Sequence, residues 1–111
     1  MGERDYLGEL ELMVMLAVAR LGDEAYGVPV SRELEKHRKR DVALSSVYAA
    51  LDRLEAKGLV TFRVGEATPE RGGRAKRYFQ VTREGLQAIR QTRHVLMNLW
   101  KRLPGLEGEG A

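Results

Sequence analysis

The sequence contains no cysteine and only two histidines, His37 and His94. The lack of cysteine excludes disulfides, thiolate metal sites and cysteine nucleophiles, and it is compatible with a reducing compartment. The two histidines are isolated from each other and suggest neither a metal site nor a catalytic base. No serine or carboxylate pair stands in a recognisable catalytic context either. We therefore expect a protein that is not an enzyme and that carries no metal and no cofactor.

Long hydrophobic runs are also missing. The longest wholly apolar run, residues 12–19, is far shorter than the roughly 20 residues of a membrane span. Glu9 and Glu11 precede it, in place of the basic residues that open a secretory signal. We expect a cytoplasmic protein without membrane contact. The 111 residues, of which 43% are hydrophobic, are enough for one domain with a modest core.

Basic residues are scarce in the first third of the chain. Residues 1–35 contain three Lys or Arg and eight Asp or Glu, whereas residues 36–111 contain sixteen and eight. This asymmetry fits a polyanionic partner on one face of the protein. A solvated charged surface explains the composition equally well.

Residues 44–60 have the clearest helical pattern in the chain. Ser45 or Ser46 can cap the start of this helix, and Gly58 suits a left-handed conformation at its end. Its outward face is small and polar near the N-terminus, as a helix must be if that end enters a DNA major groove. The opposite stripe, at i, i+4 and i+7, is apolar and predicts a core-facing side: Val47, Leu51 and Leu54.

A first helix is predicted ahead of Gly22, and it is apolar on nearly all sides after Glu11. A helix with this pattern is buried on more than one side. Because so small a domain can cover only part of that surface, we expect a second subunit to cover the rest, at Leu12 and Met15.

A second helix is predicted to begin near Tyr26 and Gly27, with Pro29 in its first turn, and to run to the basic cluster at residues 37–40. Cations in a last turn complement the helix dipole, and this explanation is slightly preferred to DNA contact. A short connection then leads into the third helix, which gives a helix-turn-helix.

After Gly58 the apolar period changes from 3.6 to 2. Residues 59–64 and 75–82 alternate as two strands of a hairpin, joined by a ten-residue loop that contains Pro69. Residues 71–83 hold five basic residues and no acidic one, which suits contact with DNA phosphates or a narrow minor groove. A solvated hairpin with charged edges is the alternative, and DNA contact is favoured because of the neighbouring helix.

A long helix is predicted over residues 83–103, with Thr82 as its N-cap and Pro104 as its stop. Its apolar residues form a coiled-coil seam that so little remaining chain cannot cover, so it must find another chain, most simply in a two-fold dimer. Trp100 is either an anchor of that interface or a flat face on which a planar ligand stacks. The seam consists of Leu86, Ile89, Leu96, Trp100 and Leu103, with Val95 and Leu99 beside it.

Four stretches together resemble the PadR family of transcriptional regulators: ELELMVMLAVARLG, YGVPVSRELE, SSVYAALDRLEAKGLV and GGRAKRYFQVTREG. They cover most of residues 8–85 in the family's order. The family typically has Gly-Thr before the Leu-Tyr pair and often Pro after it, where this chain has Ser45-Ser46 and Ala49. The resemblance implies a dimeric repressor that binds a pseudo-palindromic operator. It also implies release by a small hydrophobic or aromatic effector near the subunit interface.

Carried over by position, the resemblance implies that Ser46 and Tyr48 contact DNA. Gly73, Arg74, Lys76 and Tyr78 match the family's positions in the wing. The full set of predicted DNA-binding residues is Tyr26, Ser45, Ser46, Tyr48, Ala49, Arg53, Lys57, Arg71, Gly73, Arg74, Lys76 and Arg77. The predicted dimer interface comprises Leu12, Met15, Leu86, Ile89, Leu96, Leu99, Trp100 and Leu103, with Leu96 and Trp100 as candidates for an effector pocket.

The expected fold is mostly α-helical with a small β wing. It comprises a winged helix-turn-helix domain over residues 1–82, a dimerisation helix over residues 83–103 and a flexible tail over residues 104–111. The expected partners are double-stranded DNA, a second copy of the chain and a small hydrophobic effector. The alternative is a winged-helix module that binds an acidic protein and has no preference for a DNA sequence.

Overall fold

The computed structural model describes residues 7–65 and 75–106 of the chain. Within these residues the elements follow in the order α1 (Glu9–Leu21), a short 3₁₀ turn (Gly22–Glu24), α2 (Gly27–Arg38), α3 (Leu44–Ala56), β1 (Val60–Val64), β2 (Arg77–Val81) and α4 (Arg83–Trp100). The two strands form an antiparallel sheet. The expected fold class is confirmed: a winged helix-turn-helix followed by a long C-terminal helix.

The hydrophobic core lies between the first three helices and the sheet. The predicted stripe of α3 is fully buried in it, and the aromatic ring of Phe79 from β2 packs against the ring of Phe62 from β1 at a centroid distance of 5.5 Å. Large buried side chains of this kind each stabilise a fold by a few kcal/mol. The largest fully buried side chains are Val14, Met15, Val18, Val30, Val47, Leu51, Leu54, Val60 and Phe79.

Met15 corrects one sequence prediction. Its side chain is 0% exposed within a single subunit, so it belongs to the core and not to a dimer interface. The reason is that α1 packs against α2, α3, β2 and α4, which together cover more of its surface than the pattern indicated. Leu12 is half-buried, and Leu16 is the exposed large apolar residue of this helix at 41%.

The connection between α2 and α3 is fixed to α2 by two hydrogen bonds at Val42. The Ser31 hydroxyl donates to the Val42 carbonyl at 3.0 Å, and the Val42 amide donates to Oε2 of Glu35 at 3.1 Å. The Val42 side chain is itself buried in the core. The backbone that leads into α3 is therefore held in one position.

The start of α3 differs from the prediction and its end agrees with it. The helix begins at Leu44 with Ala43 as N-cap, so Ser45 and Ser46 lie inside the first turn and cap nothing. At the other end Gly58 has φ +77° and its amide donates to the Glu55 carbonyl, while the next amide reaches back to Leu54, as in a Schellman motif.

The two strands of the wing form the predicted hairpin. Val60 pairs with Val81 and Phe62 with Phe79, so these apolar side chains share the face that packs on the helices. Val64 at the far end of β1 is exposed. The hairpin tip, with the predicted DNA-binding residues Arg71, Gly73 and Arg74, lies outside the described residues.

Helix α4 begins at the predicted cap. The Thr82 hydroxyl accepts from the Gly85 amide at 3.0 Å and donates to the Gly58 carbonyl at 2.8 Å, which ties the new helix to the end of α3. A Cβ at Gly85 would overlap the Leu59 carbonyl, so this close crossing requires glycine.

The helix ends at Trp100, earlier than predicted, which leaves Leu103 outside it. The ring of a proline clashes with the backbone of the preceding residue and disfavours its helical conformation. Pro104 therefore disfavours a helix at Leu103. The 18 helical residues span about 27 Å. Among the described residues, none of the helices has the length and hydrophobicity that a bilayer span requires.

Candidate nucleic-acid interface

The N-terminal end of α3 presents small polar residues to solvent. Ser45, Ser46 and Ala49 are all exposed, and so is Leu44, the first residue of the helix. A surface of this size and polarity can approach the edges of base pairs closely. Three of the predicted DNA-binding residues therefore lie together on one accessible surface.

Tyr48, also predicted to contact DNA, is half-buried. Its hydroxyl end lies against Gly27 at the start of α2, where a Cβ would overlap the tyrosine oxygen. The absence of a side chain at Gly27 thus allows the ring of Tyr48 to fix α3 against the first turn of α2. This packing role was not predicted, and it leaves only part of the ring accessible.

Aromatic rings and cations alternate where the wing meets α2. The rings of Tyr26, the N-cap of α2, and Tyr78 of β2 meet edge to face with centroids 5.3 Å apart. Lys76 Nζ lies 4.8 Å from the centroid of Tyr26, and the Arg63 guanidinium lies 4.6 Å from that of Tyr78. Exposed contacts of this kind contribute about 0.5–1 kcal/mol each, enough to orient the cations. The end of the two strands next to the segment that joins them, with Arg63, Lys76, Arg77 and Tyr78, is here called the base of the wing.

Arg77 joins the wing to α3. Its guanidinium lies 3.5 Å from a carboxylate oxygen of Asp52, and it stacks within 5.0 Å of the Phe62 ring and 5.2 Å of the Phe79 ring. Tyr48 is 6.0 Å away. The predicted residues Tyr26, Tyr48, Lys76 and Arg77 are thereby brought into one continuous surface beside the N-terminal end of α3.

Arg53 and Lys57, also predicted to contact DNA, both form hydrogen bonds with a carboxylate of α1. Arg53 Nε donates to Oε2 of Glu11 at 2.7 Å, and Lys57 Nζ donates to Oε1 of the same carboxylate at 2.9 Å. Both cations are committed to a partner on α1, although Arg53 remains partly exposed. Their predicted contact with DNA stays a prediction, and any such contact would have to be made beside this pairing.

Glu11 was not among the predicted site residues. Its side chain is only 8% exposed, and it accepts three hydrogen bonds, from Arg53, Lys57 and the Gly8 amide. Burial alone would raise the pKa of Glu11, but the hydrogen bonds from Lys57, Arg53 and Gly8 outweigh it and lower the pKa below 4.5. The signal that could have identified it was an acidic residue directly ahead of the long apolar run of α1.

The apolar seam of α4 is exposed in the single subunit. Leu99 is 69% and Trp100 58% exposed, and Leu86 and Leu96 are also accessible, whereas Ile89 is half-buried against the domain. An open groove of about 1010 Å³ runs along this helix and is lined by Leu7, Leu59, Val95 and Leu96. Trp100 is not among the residues that line this groove, and the pairing of Leu96 with Trp100 in an effector pocket stays a prediction.

The three helices, the accessible polar end of α3 and the cationic base of the wing define a winged helix-turn-helix protein of the DNA-binding class. The sequence profile of the transcriptional regulator PadR-like family matches residues 15–91. The chain belongs to this family, which confirms the resemblance. The family is one of transcriptional regulators and not of enzymes.

Solved structures agree with this assignment. A PadR-like transcription factor from Bacteroides fragilis is 21% identical, with a TM-score of 0.69 over 88% of this chain and 87% of that one. A PadR family regulator from Eggerthella lenta is 28% identical, with a TM-score of 0.64 over 82% and 79%. A PadR family regulator from Clostridium difficile is 17% identical, with a TM-score of 0.65 over 83% and 91%. No curated protein is significantly similar to the chain.

Proposed function

We propose that this regulator is a repressor that binds a pseudo-palindromic DNA operator as a homodimer and is released by a small hydrophobic molecule. The observation that carries the proposal is the exposed polar end of α3, which lies directly beside the aromatic and cationic base of the wing. PadR-like regulators bind DNA, and this surface has the size and charge for a major groove and its flanking phosphates.

The division of roles follows from residue type. Ser45, Ser46 and Ala49 are short enough to let the helix backbone approach base edges, and the serine hydroxyls can donate to or accept from them. Lys76 and the arginines of the wing carry charges that attract phosphates and add affinity without reading sequence. Arg53 and Lys57 support α3 through Glu11 and take no direct part in base recognition.

The homodimer is supported by the seam of α4. Leu99 and Trp100 would expose large apolar surfaces to water in a monomer, and a second α4 packed in two-fold symmetry covers both. Such a dimer presents two copies of α3 to one side of a duplex. Half-sites one helical turn apart, about 34–36 Å, then suit a pseudo-palindromic operator.

Release by an effector is supported by the groove along α4. Leu7, Leu59, Val95 and Leu96 give it an apolar part that suits a small hydrophobic molecule, and the polar residues that also line it can bind polar groups of that molecule: Lys57, Glu84, Gln87, Gln91 and Thr92. A ligand there would bias the angle between α4 and the domain, and with it the separation of the two α3 helices. Trp100 serves either as an anchor of the dimer or, with the partner's α4 in place, as a ring on which a planar ligand stacks.

Selection of duplexes from a random-sequence pool, followed by sequencing, tests this function directly. We expect an enriched motif with two inverted half-sites and a shift of one dimer per duplex, together with a dimer in sedimentation without DNA. Repression is checked by placing the selected motif between a promoter and a reporter gene. If the selection yields no motif and the protein binds an acidic protein instead, the alternative is favoured, namely a winged-helix module for protein–protein interaction.

A further inference from the structure

Three cations at the end of α2 have no role in the surface described so far. Arg38, Lys39 and Arg40, here called the turn cluster, are all exposed, and within the described residues no Asp or Glu forms an ion pair with them. The neighbouring cations differ, because Lys36 and His37 both contact Glu33. Within the described residues the turn cluster therefore concentrates positive charge that no ion pair neutralises, although the exposed Asp41 directly follows it in the sequence.

The helix dipole explains only part of this cluster. Its influence falls off within the last turn, which contains Arg38 but neither Lys39 nor Arg40. Lys39 moreover has φ 59°, a left-handed conformation in which glycine or asparagine costs less than lysine. The left-handed backbone of this turn therefore does not account for a lysine at this position. What the lysine adds is the positive charge of its side chain.

The turn cluster is held close to the N-terminal end of α3. The hydrogen bonds at Val42 tie the connection to α2, and α3 begins two residues later at Leu44. Consecutive Cα atoms are 3.80 Å apart, so the Cα atoms of Arg40 and Leu44 are separated by at most about 15 Å. A duplex that receives the N-terminal end of α3 in its groove would therefore have phosphates within reach of long side chains at this turn.

The two basic surfaces lie at opposite ends of α2. The wing contacts the first end, where Tyr26 meets Tyr78 and Lys76, and the turn cluster occupies the other. The 12 residues of α2 separate them by about 18 Å, and the major groove between them is about 12 Å wide. The spacing suits one surface on each phosphate backbone that borders the groove.

We propose that the turn cluster is a second phosphate-binding surface, which contacts the DNA strand across the major groove from the wing. The proposal rests on DNA binding by the N-terminal end of α3. It assigns a partner to a sequence feature for which the helix dipole was the preferred explanation. Because phosphates carry no sequence information, these contacts add affinity equally on specific and on scrambled duplexes.

Lys39→Gly is the sharpest variant, because glycine suits the left-handed backbone while the charge is removed. Arg40→Gln tests the neighbouring cation, and Arg90→Gln is the matched control, since it removes one exposed charge from α4 outside the apolar seam. Affinity is measured against salt concentration on a selected duplex and on a scrambled one. Melting temperatures establish that each variant is folded, with that of Lys39→Gly unchanged or raised.

Each lost phosphate contact should lower the log–log salt slope by about 0.9, or by about 1.8 when both subunits of a dimer lose it. We expect this decrease for Lys39→Gly and Arg40→Gln on both duplexes, and no decrease for Arg90→Gln. Slopes equal to wild type in both turn variants would overturn the proposal, as would a loss confined to the selected duplex. The scrambled duplex keeps the test valid even if selection finds no operator, so failure of the turn cluster and failure of sequence-specific recognition are distinguishable.

Discussion

The two ends of α3 differ in what their side chains contact. At the N-terminal end Ser45 and Ser46 are exposed, and no side-chain hydrogen bond within the described residues engages them. At the C-terminal end Arg53 and Lys57 converge on the nearly buried carboxylate of Glu11. One end of the helix is thus available to a partner and the other is attached to α1. Changes at the attached end should alter stability, and changes at the exposed end should alter recognition.

The largest effect is expected from Glu11→Gln. The substitution leaves two cations beside a neutral amide that accepts weaker hydrogen bonds, and we expect the free energy of unfolding to fall by about 2–3 kcal/mol. Chemical denaturation measures it. The control is Glu9→Gln, which removes an exposed carboxylate from the same first turn and should change stability by less than about 0.5 kcal/mol.

The DNA affinity of the folded Glu11→Gln protein tests whether the two ends of α3 have separate roles. If the attached end serves stability alone, discrimination between selected and scrambled duplexes stays within twofold of wild type at a temperature where the variant is folded. A large loss of discrimination with little loss of stability would contradict the division of roles along α3.

The next effect is expected from Gly27→Ala, which tests how Tyr48 is held between the two ends. The added methyl group overlaps the tyrosine hydroxyl, and overpacking of this kind costs about 1–3 kcal/mol. Tyr48→Ala removes the obstacle, so the double variant should be more stable than the sum of the two single effects implies. Additive effects in this double-mutant cycle would show that the contact does not set the stability.

The sequence predicted the parts of this structure that depend on local pattern. Val47, Leu51 and Leu54 were assigned to the core by spacing, and Thr82 and Gly58 were assigned to helix ends by residue type. The contacts of Glu11 with Arg53 and Lys57 were not predicted. They join residues 42 and 46 positions apart in the chain, and no period within one helix reveals such a pair. Met15 was misplaced for a related reason: a helix that is apolar on nearly all sides does not indicate which elements cover it.

A smaller effect on stability and a distinct effect on recognition are expected from Ser46→Ala. The hydroxyl caps nothing in the free protein, so the free energy of unfolding should change by less than about 0.5 kcal/mol. If it contacts a base edge, discrimination between selected and scrambled duplexes falls by about 1–2 kcal/mol, or roughly fivefold to thirtyfold. Competition binding measures the ratio. An equal loss on both duplexes would make Ser46 a backbone contact, and no loss would remove it from the interface.

The smallest effect is expected at a second ion-pair cluster, in which Arg20 of α1 pairs with Glu33 of α2. Its carboxylate is nearly as inaccessible as that of Glu11, but its cations are more exposed. Glu33 accepts from Arg20 at 2.8 Å and contacts His37 and Lys36, and the hydrogen bond from Arg20 leads the contacts that lower the pKa of Glu33 to about 2. A pKa lowered on folding gives stability that is present above pH 4.5 and is lost as pH falls toward 2.

In Glu33→Gln that part of the acid sensitivity should disappear, so urea midpoints at pH 6 and pH 3 should lie closer together than in wild type. Glu55→Gln, which removes a carboxylate that has no ion pair within the described residues, should keep the wild-type difference. Equal acid sensitivity in all three proteins would show that Glu33 does not set the pH dependence, and Glu11, whose pKa is also lowered, would be tested next.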